Sequence, residues 1–530
     1  MRNIAWLALG LLLGCVGDSS VASNDAGNDA TVDATSDVND AASDASDAAL
    51  EAEAGPPTPT GKFSWDAHIG SSGDDVTSAA TAFDSKGNLF VVGSFVSQAQ
   101  FGNAQSLTSL GLADAFVAKY DTTGTCQGVA RIGGSTTNDT AWAVAIDPQN
   151  DDVVVVGTLF QNSAQLPIQW SVNGGASNQT SNGAFLVKMS NDLSTVKFDQ
   201  DFARNSSATA PHSLVIGPAG AVIVSGEIQN ATQTPFARTG GLVNGSGLGG
   251  PSVGFVAQYS SNGAFAFARI LSPLTSGPAC ETFVGGAGFD SQQRIVIAGW
   301  ALGYSACKYT ADYANNQTNN DIDGTNGNVL FVAKYDDTNN GVFQSVKLTA
   351  PIGNASGYAK AVAIGPNDEV YAAFEDEGMS FSFAGKALPA ASDDGVVFAW
   401  DSNAQEKSFF FIGSGTGQNI PYALAVDPYG NVVIGGVVGS NVDFGSGKTI
   451  TFGGGVSDGF VLKTDPTLAN VLWLNAYGGG GNERVFGVAA SKTNATGVVG
   501  SFDDSSLTVA QGQSITTYGS TDYFALGLAP

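Results

Sequence analysis

The sequence predicts an all-β repeat fold in which seven copies of one four-stranded antiparallel unit close on themselves. Three observations point to it. A strand–turn–strand segment recurs from Phe83 to Gly93, Ile146 to Gly157, Phe289 to Gly299 and Val426 to Gly436, with weaker copies beginning at Ile216, Ile364 and Ala490. Each copy places a turn rich in Asp, Pro, Gly or Asn between runs of β-branched residues, which is a hairpin signal. A second module, clearest from Asp114 to Asp121 and from Asp458 to Asp465, follows every hairpin, with anchors at Phe116, Phe185, Phe255, Phe331, Val396, Phe460 and Phe524. Their spacings of 69, 70, 76, 65, 64 and 64 residues suit one four-stranded blade with generous loops, and seven such blades make a seven-bladed β-propeller. The composition agrees: 69 Gly, 13% charged and 43% hydrophobic residues read as short strands joined by tight turns.

Residues 1–14 read as a processing signal and not as part of the fold. Arg2 supplies the positive end, Ile4 to Leu13 form an apolar run too short to span a bilayer, and Leu12, Leu13, Gly14 and Cys15 follow. This ending resembles the lipobox of bacterial lipoproteins, which implies cleavage before Cys15 and acylation of its thiol and new amino terminus. Several acyl chains hold a protein stably on a membrane. Val16 stands where an Asp would favour inner-membrane retention in many Gram-negative lipoproteins, so the expected location is the outer membrane or cell surface.

Residues 15–61 follow as a linker. From Val16 to Gly61 there is no Lys, Arg or aromatic residue, and acids from Asp18 to Glu53 recur among Ala, Ser and Asn. Such a segment cannot bury enough apolar surface to offset its ordering entropy. It is expected to be a disordered, self-repelling tether, stiffened at its end by Pro56, Pro57 and Pro59.

Residues 62–530 hold the repeats. Within the first unit the pattern assigns strand A to Val76–Asp84, B to Asn88–Phe95, C to Ala115–Asp121 and D to Thr125–Ile132. The chain ends after supplying strands A, B and C of the seventh unit. Residues 62–70 match the D strands near Val129–Gly133 and Trp473–Gly478, so this N-terminal strand is expected to close the ring on the last blade and leave no open sheet edge there. The consensus resembles the bacterial β-propeller repeat family of surface proteins and lipoproteins. It shares Gly-Gly before strand A, Gly-Asn in the hairpin and Asp-x-Phe-Val-x-Lys in strand C. The third and fifth copies depart most, with Gly217-Pro218 and Gly365-Pro366 in place of the hairpin Asp and Val396 in place of Phe. The resemblance implies architecture and exposure; it does not imply a ligand.

A formal charge of −27 excludes an electrostatic nucleic-acid binder. Two His residues leave little room for zinc or His-based acid–base chemistry, and no Gly-x-Ser-x-Gly elbow, Walker loop or His-Glu-x-x-His helix is present. His68, aligned with Arg131, Arg204 and Arg269, is expected to be a solvated edge residue. Sites in propellers usually lie at the face where strand A begins, and the longest B-to-C loops there are Gln229–Val253 and Ala301–Asn328. Residues just before strand A are Asp75, Asp139, His212, Glu281, Tyr358, Asn419 and Glu483. These acids would either gather Ca²⁺ or satisfy amides of their own turns, and a repeated residue normally serves the repeated fold. Asn319, Asp321, Asp323 and Asn326 have the alternating oxygens of a calcium loop but lack its closing Glu; the same string also reads as a plain turn. After Cys15 three cysteines remain. Cys280 precedes strand A and Cys307 follows strand B of one hairpin, so a disulfide is expected between them, leaving Cys126 as a buried thiol.

The functional expectation is a lipid-anchored, monomeric envelope or surface lipoprotein presenting its loop face to an unknown glycan, protein or small ligand, with no catalytic residue identified. Two alternatives stay open: a metal-dependent hydrolase or lyase using channel-mouth carboxylates, and a purely structural envelope protein.

Overall fold

A computed structural model describes residues 59–73, 79–134, 137–161, 169–170, 183–203, 209–228, 233–237, 241–245, 252–274, 280–302, 307–311, 322–323, 328–336, 341–349, 356–378, 381–389, 392–413 and 417–530. They belong to one compact unit spanning 58–530, and all its described regular elements are strands.

Seven sheets follow the repeat order A-B-C-D. Their A strands are Ala79–Phe83, Thr137–Ile146, Ala210–Ile216, Thr282–Phe289, Ser356–Ile364, Ile420–Val426 and Arg484–Ala490. The B strands are Leu89–Phe95, Val153–Gln161, Val222–Ile228, Arg294–Ala301, Val370–Glu377, Val432–Val438 and Thr496–Phe502. The C strands are Asp114–Tyr120, Gly183–Met189, Val253–Tyr259, Val329–Asp336, Ser392–Trp400, Asp458–Thr464 and Asp522–Leu528. Strand D is Cys126–Gly133, Val196–Phe202, Phe265–Ile270, Phe343–Leu348, Glu406–Ile412 and Val471–Tyr477 in the first six sheets. In the seventh it is Phe63–Ile69, antiparallel to Asp522–Leu528 with Ala67 opposite Ala525. Gln169–Trp170 adds a fifth strand to the first sheet.

Strand A of each sheet packs on strand A of the next, and that of the seventh returns against the first. The arrangement is propeller-like, and it explains the sequence pattern. Strands B and C lie between neighbouring sheets on both faces, so Leu89–Phe95 and Thr496–Phe502 are buried at every residue and do not alternate between apolar and polar. Strand D has one covered face, and Phe63–Ile69 alternates accordingly. Each space between adjacent sheets holds its own apolar cluster, seven in all. The closing strand is locked by Trp65, which stacks on Tyr120 at 6.1 Å. Gly527 makes room for it, since a Cβ there would collide with the indole. Gly124, at φ +80°, lies under the same ring, where a Cβ would come within 2.7 Å of it.

Two details differ from the sequence reading. The B-to-C connections are not plain loops: several carry small two-stranded ribbons, such as Gln98–Gln100 with Ser106–Thr108 and Ser506–Ala510 with Gln513–Thr516. His68 is not a solvated edge residue. Its Nε2 lies 2.8 Å from Asp522 Oδ2 and its side chain is 13% exposed, with the ring stacked on Tyr518 at 4.2 Å. The edge it was expected to face is covered by the seventh sheet's own B-to-C connection.

Candidate functional site

Six A strands contain one residue more than strand B can pair. The register skips Trp142, His212, Gly285, Lys360, Tyr422 and Phe486. Each is a β-bulge, a device that bends a strand and re-aims one side chain. All six residues line one central cavity of about 160 Å³, which every A strand touches. The first strand A, described over Ala79–Phe83, pairs without a bulge.

The bulge also accounts for the glycine that ends the repeated hairpin. Gly157, Gly226, Gly299, Gly436 and Gly500 sit in strand B beside the bulge, where a Cβ would strike the strand A carbonyl of Thr140, Ala210, Phe283, Ile420 or Arg484. Gly is therefore required by the backbone beside five of the six bulges, Phe374 taking its place beside Lys360, while the bulge residue itself varies among Trp, His, Gly, Lys, Tyr and Phe. A position fixed in geometry and free in chemistry is where a repeat scaffold can carry specificity.

Side chains from the adjoining strand ends complete the mouth. Lys360 Nζ is 2.7 Å from Glu375 Oε2 and stands over the rings of Tyr358, at 5.2 Å, and Tyr422, at 5.9 Å. Tyr422 continues to Phe486 at 6.0 Å. Tyr358, 38% exposed, meets Phe283 and Trp300 edge-on at 5.6 and 5.8 Å, and those two rings stack on each other at 4.8 Å. Across the mouth, His212 Nε2 lies 3.2 Å from Glu227 Oε1. Burial and the charge of Glu227 raise the Glu281 carboxyl above its ordinary range. Burial, then Glu377, Glu375, Glu281 and Glu227, raise the Tyr358 hydroxyl. Four carboxylates thus act on one partly exposed tyrosine, with Lys360 paired to one of them and Arg484 acting on Tyr422, which leaves acid in excess at the mouth.

The candidates named from sequence divide. His212 is a bulge residue, and Glu281 and Tyr358 stand at the mouth. Asp139, Asn419 and Glu483 do not: all three are fully buried. Asp139 Oδ2 accepts from Gly134 N at 3.0 Å and Glu483 Oε2 from Gly479 N at 3.1 Å, so they serve their own turns. Asp323 pairs as a strand residue opposite Lys308; Asn319, Asp321 and Asn326 lie outside the described residues, as do Cys15 and Asp75. Among the described residues no group of three or more His, Cys, Asp or Glu side chains is arranged to hold a metal ion. Cys280 and Cys307 form a disulfide with Cα atoms 5.6 Å apart. Cys126 is a free buried thiol, which burial pushes up to about 11. Sequence reasoning missed Trp142, Lys360, Tyr422 and Phe486, although the repeated glycine inside strand B was a signal for a bulge beside all of these but Lys360.

No protein-family model and no curated protein matches this chain. Solved structures do. A polysaccharide lyase of the PL25 ulvan lyase family aligns with a TM-score of 0.42 and 11% identity, over 83% of this chain and 92% of that one. The NanB sialidase from Streptococcus pneumoniae aligns with a TM-score of 0.37 and 10% identity, over 89% and 70%. A protein of unknown function from Dyadobacter fermentans gives 0.37 and 12%, over 73% and 94%. Likeness at this level carries no argument about what the present chain binds.

Proposed function

We propose that this chain is an exported, lipid-anchored binding protein whose seven sheets form a closed seven-bladed β-propeller. Cys15 carries the anchor, the acidic linker holds the head off the membrane, and the bulge ring seats the end group of a glycan. The observation that carries the reading is the set of six bulge residues, constant in position and divergent in chemistry, around one cavity. A cavity of about 160 Å³ is smaller than the roughly 300–1,000 Å³ of a drug-sized ligand site. It suits a single ring, with the rest of the ligand lying across the mouth. Tyr358 and Tyr422 offer aromatic surface, Glu227 and Glu375 accept hydroxyl or amine hydrogens, and the four mouth carboxylates select a neutral or amine-bearing glycan over an anionic one.

Titration of the mature head with neutral, amine-bearing and uronate-terminated oligosaccharides tests the reading. Binding confined to the first two classes and lost in Tyr422→Ala supports it. Preference for uronates, or binding indifferent to Tyr422→Ala, contradicts it. The anchor has a separate test: a clickable fatty acid supplied to cells expressing the chain is expected to label it through Cys15 and to fail with Cys15→Ser.

A further inference from the structure

Three contacts between neighbouring sheets share one backbone geometry. Asp139 N donates to Ala113 O at 2.9 Å, Asn419 N to Asp393 O at 2.8 Å and Glu483 N to Ser457 O at 2.8 Å. Asp139, Asn419 and Glu483 therefore occupy one repeated position, beside the buried aspartate at or near the start of strand C of the preceding sheet: Asp114, Asp394 and Asp458.

What partners that aspartate differs from sheet to sheet. Beside Asp394 it is an amide, with Asn419 Nδ2 donating to Asp394 Oδ1 at 2.6 Å. Beside Asp114 it is Arg131, whose Nε lies 3.4 Å from Asp114 Oδ2. In the seventh sheet it is His68, 2.8 Å from Asp522. Arg131 and His68 are the strand D residues opposite Phe116 and Phe524. In the sixth sheet the residue opposite Phe460 is Ala476, so Asp458 has no polar partner from strand D at that position. It also has no amide, because Glu483 stands where Asn419 stands.

The junction of Asp458 with Glu483 is thus the one of these in which the two repeated positions both hold carboxylates and neither kind of compensation is present, and Asp458 is among the charges that act on Glu483. Asp458 is 2% exposed and Glu483 fully buried. One oxygen of each is used: Asp458 Oδ2 accepts from Gly453 N at 2.7 Å and Glu483 Oε2 from Gly479 N at 3.1 Å. Asp458 Oδ1 and Glu483 Oε1 are buried without a hydrogen-bond partner. The other charged groups acting on Glu483 are Asp504 and Asp503, which accept from Gly480 N and Asn482 N in the intervening turn. Arg484, next in sequence, is exposed. Two buried like charges with idle acceptor oxygens do not both stay ionised when a proton can join them.

We propose that Asp458 and Glu483 share one proton, with Glu483 as the donor in the role Asn419 plays elsewhere, so that the contact between the sixth and seventh sheets is a proton-dependent clasp. Burial and the three neighbouring carboxylates push the Glu483 carboxyl up to about 8 from its ordinary 4.5, in the direction the clasp requires. The sign follows: the unfolded chain releases this proton near 4.5 and the folded chain keeps it to about 8. Stability from this group is complete below the lower value, declines across the interval, and is flat above it.

Denaturant unfolding of the full chain between pH 4 and pH 9 tests this on wild type, Glu483→Gln and Asn419→Asp. Gln imitates the protonated acid, so the folding constant of Glu483→Gln relative to wild type is expected to rise by up to about tenfold per pH unit across the interval. Asn419→Asp is expected to add a decline of the same sign, because it recreates the clasp beside Asp394. Parallel profiles for wild type and Glu483→Gln overturn the proposal. So does a decline that disappears when calcium is added and returns with chelator, since a cation would then be the neutralising partner. Should Glu483→Gln fold poorly, the infrared carboxyl band decides: a protonated acid visible in wild type at pH 7 and absent in Asp458→Asn supports the clasp, and its absence in wild type overturns it.

Discussion

Lys463 Nζ lies 3.2 Å from Asp427 Oδ2, and neither side chain has any exposure to solvent. The pair joins the hairpin turn of the sixth sheet to the far end of its strand C. The same bridge recurs as Lys119 with Asp84 at 3.7 Å, Lys188 with Asp147 at 2.5 Å and Lys334 with Asp290 at 3.3 Å. Where the hairpin residue is Gly217, Gly365 or Ser491, the strand C residue at the equivalent register is Gln258, Ala399 or Gly527. Acid and lysine are kept or lost together, as expected if either alone would leave a buried charge unpaired. In the fifth sheet Tyr371, opposite Ala399, reaches the next sheet instead, donating to Pro466 O at 2.7 Å. The departures of the third and fifth copies from consensus are therefore coupled replacements within one structural unit.

Lys463→Ala is expected to destabilise the chain by about 3–5 kcal/mol, because Asp427 stays buried without its counter-ion. Lys463→Ala with Asp427→Ser, which copies the seventh sheet's lack of charge, is expected to recover a large part of that loss. Urea unfolding of both variants measures it; a double variant no more stable than the single one contradicts the pairing.

Gly133→Ala is expected to destabilise by about 1–3 kcal/mol through overpacking, since a Cβ there would collide with the Asp114 carboxyl. Gly70, Gly413 and Gly478 stand in the same relation to Asp522, Asp394 and Asp458. Gly102→Ala offers a comparison, because no atom lies within 4 Å of its added Cβ, though its φ of +82° adds backbone strain of its own. Melting temperatures of Gly133→Ala and wild type that coincide would remove the explanation of the repeated glycine.

The Cys280–Cys307 bridge closes a separation of 27 residues, a loop for which chain entropy gives about 3 kcal/mol. Cys280→Ser with Cys307→Ser is expected to lower stability by about 2–4 kcal/mol. Mass spectrometry after alkylation without reductant is expected to find Cys126 as the sole thiol in the folded head once the chain is denatured.

The strand order and the N-terminal closing strand were legible because the repeat phase is carried by backbone requirements: a strand missing at one end had to be supplied at the other. The Cys280–Cys307 pair was legible for a similar reason, since a hairpin returns both ends to one place. His68 was misread because its partner, Asp522, lies 454 residues away and its cover comes from a connection that local pattern describes only as loop. The bulge ring was missed because a bulge is a statement about register between two strands. Lys360 and Tyr422 look like ordinary strand residues until Ala361 and Ala423 are seen paired one step out of phase. The acids Asp139 and Glu483 drew notice by recurring, yet recurrence marked the fold's own turns.

The central claim is that the bulge ring seats a ligand end group. Hydrogen–deuterium exchange of the mature head with and without a bound neutral or amine-bearing oligosaccharide tests it most directly. The account predicts added protection at Ser356–Ala361 and Ile420–Ala423, lost in Tyr422→Ala, with the opposite hairpin turns at Pro218, Pro366 and Pro428 unchanged. Protection confined to those hairpin turns, or to the outer D strands, would contradict it.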